Sequence, residues 1–192
     1  MSSLGSSEKR SLLAIARQAV IKAVQSGESL EKFSNDEALR RPAGAFVTLH
    51  YRGRLRGCVG QLPSKDSLAS VIARCAKSAA LEDPRFEAVR IDELPGIEIE
   101  LSVLSQPVGA TRQEIEPGRH GLIVSCGWKR GVLLPQVARH FRWNAERFLE
   151  ETCVKAGLSK DAWKDADTQI QTFTAEVFSE ADFPSLPKQE AD

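Results

Sequence analysis

Cys58 sits in the stretch Leu55-Arg56-Gly57-Cys58-Val59-Gly60, between glycines and two positions after an arginine. That setting suits chemistry at sulfur. Gly57 and Gly60 strip away side-chain cover and leave backbone N–H groups able to face an anion. Arg56, with Arg54 behind it, would favour the thiolate and lower its pKa. A nucleophilic thiol also needs a base. Of the three histidines, His120 in Pro117-Gly118-Arg119-His120-Gly121 stands among turn residues ahead of a strand, an accessible place for a group that titrates near neutrality. His50 falls in an apolar alternation and reads as packing or edge, and His140 follows a helix and reads as surface. Cys58 and His120 are therefore the candidate catalytic pair. Arg56, Gly57, Gly60 and Gln136 are the candidate ligand-binding residues. The competing reading of Cys58 is a small filler where two backbones cross tightly.

Other chemistries find less support. No C-x-x-C, H-x-x-x-H or paired Cys/His cluster is present, so no metal ligands are assigned. Neither G-x-G-x-x-G, a P-loop nor G-x-S-x-G occurs, and no cofactor is implied. Glu98 and Glu100 alternate in a strand-like run and share one face, as an acid/base pair or as a polar face opposite a core. Asp83 and Arg85 can pair with each other or cap the preceding helix. The basic run from His50 to Arg56 reads as a solvated hairpin turn. It has one aromatic neighbour and no recognised nucleic-acid module around it.

The elements that carry these residues follow from periodicity. Leu12, Leu13, Ala16, Val20, Ala23 and Val24 form one stripe of a first helix that Gly27 can end. A polar linker leads to Gly44. Two strands follow, Ala45–Tyr51 and Leu55–Leu62, joined by Arg52-Gly53-Arg54. A second helix places Leu68, Val71, Ile72, Cys75 and Ala79 on one face, which makes Cys75 core. It closes at Glu82-Asp83-Pro84, because the residue before proline is pushed out of the α region. Ile97–Leu104 is a strand, and residues 121–134 form a hairpin around Trp128-Lys129-Arg130. Pro135 opens a short helix to Phe141. Asn144 caps another, with Trp143 and Phe148 as a hydrophobic staple, Gly157 at its end and Cys153 on its buried side. Thr172–Phe178 is a last strand.

Helices segregated between antiparallel hairpins indicate an α+β fold rather than a doubly wound sheet. The last strand is expected to return to the first sheet. The expected division is a larger lobe of residues 1–106 plus 165–182, a smaller lobe of residues 107–164, and a disordered tail over 183–192.

The chain has 192 residues, 42% hydrophobic and 27% charged, as ordinary globular proteins do. Its formal net charge is zero, which argues against nucleic acid as a partner. Residues 1–80 carry 13 basic and 6 acidic side chains, and residues 81–192 carry 13 and 20. No apolar run is long enough to span a membrane, no signal peptide is evident, and four widely spaced cysteines do not make a disulfide scaffold. Free thiols in a reducing cytoplasm are expected.

Together the segments LRGCVG, AALEDPRF, IEIELSVLS, PGRHGLIV, GVLLPQVA, FLEETCVKAGL and AWKDADTQIQTFTAEVF resemble the AMMECR family, known in bacteria and archaea as AmmeMemoRadiSam system protein A. They occur in family order from about residue 45 to 178. The resemblance implies two unequal lobes, mainly antiparallel sheets flanked by helices, with the cysteine motif near a cleft between them. It carries Leu55, Arg56, Gly57, Cys58 and Gly60 as hallmark residues, and places His120, Gln136 and Cys153 in other shared motifs. It supplies no reaction. It does imply a radical SAM protein and a Memo-type protein as partners. Three functions are then in competition: a binding or accessory module for a small ligand or peptide, a cysteine-dependent enzyme using Cys58 and His120, and RNA or nucleotide binding by the basic hairpin.

Overall fold

In the computed structural model, residues 3–30 and 37–184 are described. They divide into two compact units, Met1–Leu104 with Glu176–Asp192, and Ser105–Ala175. The second boundary falls inside the last strand, eleven residues beyond the Asp165 at which the sequence placed it.

In the first unit the apolar stripe of helix α1 (Ser6–Ser26) lies against helix α3 (Leu68–Leu81) and the sheet. Gly27 ends α1 with φ 73°, its N–H donating to Ala23 O. Ser67 caps α3 by accepting from the Ser70 N–H. Between these helices comes a short α2 (Glu37–Arg40), within a linker that lies partly outside the described residues. Strands β1 (Gly44–Tyr51), β2 (Arg54–Gln61) and β3 (Ile97–Leu104) pair antiparallel in the order β2-β1-β3, and the end of β7 (Gln169–Ser179) lies beside β3. Ala45, Val47, Leu49, Ile97, Ile99, Leu101 and Val103 face the helices and are buried with them.

A buried ion pair ties the chain's return to its start. The Arg17 guanidinium on α1 binds both oxygens of Glu180 and donates to the carbonyls of Leu94 and Ile97, while Glu180 also accepts the Ile99 N–H. Phe178 enters the same core and Phe183 packs against it. Order therefore continues into the expected tail; its residues from Ser185 on lie outside the described residues.

In the second unit β4 (Val108–Gly109), the first part of β7, β5 (His120–Cys126) and β6 (Lys129–Leu133) pair antiparallel in that order. Helix α4 (Pro135–Phe141) is followed by α5 (Ala145–Lys155). Leu122 and Val124 of β5 pack with Phe148, Leu149 and Cys153 of α5. Asn144 caps α5 by accepting from the Arg147 N–H at 2.8 Å. Helices and antiparallel strands thus make an α+β fold in both units, as the sequence indicated.

Candidate functional site

The turn between β1 and β2 is Arg52-Gly53, with φ 50° and 75°. Both residues take positive φ, the geometry that joins two twisted strands most tightly. From it β2 returns along β1 with one irregularity. Leu49 pairs with Gly57 and His50 with Leu55, so Arg56 is the extra residue of a β-bulge. Bulges re-aim side chains and are frequent beside functional sites.

The bulge decides which residues share Cys58's face. Gly57 opposes buried Leu49 and faces the helices, where a Cβ would run into the Ala79 carbonyl oxygen of α3. Cys58 opposes Thr48, which opposes Glu100 on β3. In the neighbouring row Leu55, His50 and Glu98 stand opposite one another. The face turned away from the helices therefore carries Cys58, Thr48, Glu100, His50 and Glu98, all partly exposed, with Leu55 more open still. The Thr48 hydroxyl donates to the Cys58 sulfur at 3.3 Å. Gly60 lies in the next row opposite Phe46, whose ring occupies the space a Cβ would need.

Arg56 is engaged elsewhere. Its Nε and Nη2 each reach a Glu93 oxygen at 2.9 Å, and Nη1 and Nη2 donate to the carbonyls of Glu87 and Ala88. The Glu93 carboxylate raises the pKa of Arg56, and Arg56 lowers that of Glu93. The guanidinium thus fastens the outer edge of β2 to the segment before β3.

The cation at the Cys58 backbone is Arg85. The Cys58 N–H donates to Asp83 Oδ2 at 2.8 Å, and Arg85 Nη2 donates to the Cys58 carbonyl at 3.2 Å. Arg85 also binds both Asp83 oxygens, at 2.9 and 2.6 Å. Asp83 is buried, and its carboxyl is held well below the usual carboxylate range, first by the Arg85 guanidinium and then by the N–H groups of Cys58 and Arg85. Both outward polar groups on the Cys58 backbone are satisfied, so at this residue the sheet edge offers nothing to a further strand.

His120 and Gln136 belong to the second unit. The Nδ1 of His120 accepts the Glu116 N–H at 3.2 Å. Gln136 is the second residue of α4 and is partly buried. All four cysteines are free. Cys75 is buried and its thiol pushed up to about 11 by burial, and burial raises Cys153 likewise. No group of three or more His, Cys, Asp or Glu able to hold a metal ion is found among the described residues.

The sequence pointed to Cys58 and to the shared face of Glu98 and Glu100. It missed Thr48, whose only signal is its place in the β1 alternation, and it read His50 as packing or edge. No local pattern could place these in one row, because the register between three strands does so.

Comparison with known proteins agrees with this fold. The AMMECR1 family profile matches residues 13–178. A protein of Methanothermobacter thermautotrophicus is 40% identical over 92% of this chain and 96% of its own length. One of Pyrococcus furiosus is 39% identical over 92% and 89%. The crystal structure of an uncharacterized protein from Pyrococcus horikoshii, 35% identical, superposes with a TM-score of 0.82 over 95% of both chains. No helix among the described residues is long and apolar enough to cross a membrane.

Proposed function

The chain belongs to the AMMECR1 family, and on that premise we propose that it is a binding and accessory component. Its recognition surface is the sheet face bearing Cys58, Thr48, His50, Glu98 and Glu100. Following the family resemblance, its partners are a radical SAM protein and a Memo-type protein, and the setting is the cytoplasm.

One observation carries this reading. The groups that would activate Cys58 as a nucleophile are already committed, Arg56 to Glu93 and the Asp83–Arg85 pair to the Cys58 backbone, while the side chains of the face stay open. A rigid array of polar side chains on paired strands suits recognition, since little order is lost on binding. Glu98 and Glu100 give the face an acidic character, and the ladder rows that hold them contain no lysine or arginine. The fitting ligand is a basic, N–H-rich segment of a partner.

The test is a binding titration against the radical SAM protein, using wild type, Cys58→Ala and the double variant Glu98→Lys/Glu100→Lys. Cys58→Ala is expected to bind within about twofold of wild type. The charge reversal is expected to lose tenfold or more, about 1.4 kcal/mol. Unchanged binding by the charge reversal would refute the proposed surface. Loss of the partner's turnover in Cys58→Ala with binding intact would instead favour a cysteine-dependent reaction.

A further inference from the structure

The run Arg139-His140-Phe141-Arg142-Trp143 ends α4 and leads into α5 in the second unit. Its aromatic rings form a short stack. The Phe141 ring lies over Trp143 at 4.9 Å between centroids and 15° between planes, and Trp143 in turn packs against buried Phe148 at 6.4 Å. His140 meets Phe141 edge-on at 4.7 Å. Phe141 is 57% exposed, an unusual degree for a phenylalanine, so the outer end of the stack is open.

The same run carries two guanidinium groups and an imidazole. Arg139, His140 and Arg142 are all exposed, and none of them has a carboxylate within ion-pair distance among the described residues. Arg139 donates to the Gly118 carbonyl, which fixes its direction. Arg142 stands at the helix terminus with φ 53° and ψ 39°. That left-handed geometry favours glycine and costs an arginine backbone strain. A strained arginine directly after an open aromatic residue is a reason to look for a ligand.

We propose that this patch binds single-stranded nucleic acid, with one base continuing the Trp143–Phe141 stack and its flanking phosphates held by Arg142 and Arg139. A flat, sequence-tolerant π-face with cationic side chains in the same segment is what unpaired bases use. The zero net charge that argued against nucleic acid is an average over the chain. The run Arg139–Trp143 holds two guanidinium groups and the stacking platform within five residues, while Arg112, Arg119, Arg147 and Lys164 of the same unit are held in ion pairs.

The test uses the full chain and fluorescence anisotropy of a labelled oligoadenylate of about eight nucleotides at low salt, with adenosine monophosphate and a polyglutamate peptide as competitors. Wild type is expected to bind with an affinity that falls with salt at a log–log slope of about −1.4, from two phosphate contacts on a single strand. Phe141→Ala is expected to weaken binding about tenfold or more. Arg142→Gly relieves the strain, so it should melt at or above the wild-type temperature and still lose affinity. That second variant separates binding from folding. The proposal is overturned if no oligonucleotide binds, if both variants bind as wild type does, or if polyglutamate competes as well as the oligonucleotide. Monophosphate binding as tight as the strand's would overturn the strand reading in favour of a mononucleotide ligand.

Discussion

The backbone N–H of Cys58 donates to the buried carboxylate of Asp83, 25 residues further along the chain, at 2.8 Å. With Arg85 on the Cys58 carbonyl, this holds both outward polar groups of one edge-strand residue. Removing the buried carboxylate leaves the Cys58 N–H unpaired, whereas the half-exposed Arg85 can turn to water. Asp83→Ala is therefore expected to lose about 1–3 kcal/mol of folding stability. Asp83→Asn, which keeps the shape and one acceptor, should lose less, about 1 kcal/mol. Urea unfolding at neutral pH measures both, and an Asp83→Ala midpoint equal to wild type would refute the clamp.

Acid should weaken the same region. Asp83 is lowered first by its hydrogen bonds from Arg85, and Glu93 first by those from Arg56. Carboxyls whose folded pKa lies below the unfolded one, about 3.9 for Asp and 4.3 for Glu, contribute their full stability above those values. The contribution is lost as pH falls below them and through the folded pKa. Urea midpoints should thus be nearly flat from pH 7 to 5 and fall below about pH 4. In Asp83→Asn that fall should be smaller. An equally steep fall in the variant would mean that other groups carry it.

Gly57 and Gly60 differ in what surrounds them, and their substitutions should differ too. A Cβ at position 57 meets helix backbone at the Ala79 carbonyl, whereas one at position 60 first meets the Phe46 ring. Backbone cannot turn aside as a ring can. Gly57→Ala is expected to cost about 3 kcal/mol or more, and Gly60→Ala about 1 kcal/mol. Thermal melts of the two variants decide the matter, and equal melting temperatures would contradict the packing described.

Thiol counting tests the environment of each cysteine. Cys58 and Cys126 are partly exposed, whereas Cys75 and Cys153 are buried with raised pKa values. A disulfide reagent at pH 8 is expected to label two thiols quickly in the native protein and all four once it is unfolded. Cys58→Ser should leave one fast thiol. Fast labelling of Cys75 would contradict its burial on the inner face of α3.

Much of this protein was fixed by its amino-acid order. Stripes at helical spacing set α1 and α3, Gly27 and Asn144 set helix ends, and Arg52-Gly53-Arg54 set a hairpin, because those signals act within a few residues. The α+β class followed from them, as did the interest of Cys58. Tertiary structure alone decided what surrounds that thiol. A single extra residue at Arg56 changes which side chains share a face, and nothing in the local pattern announces it. The Cys58–Thr48–Glu100 row spans three strands, and Asp83 and Glu93 reach β2 from a segment beyond α3. Strand register and such long-range ion pairs depend on how distant segments pack, so they exist only once the chain has folded.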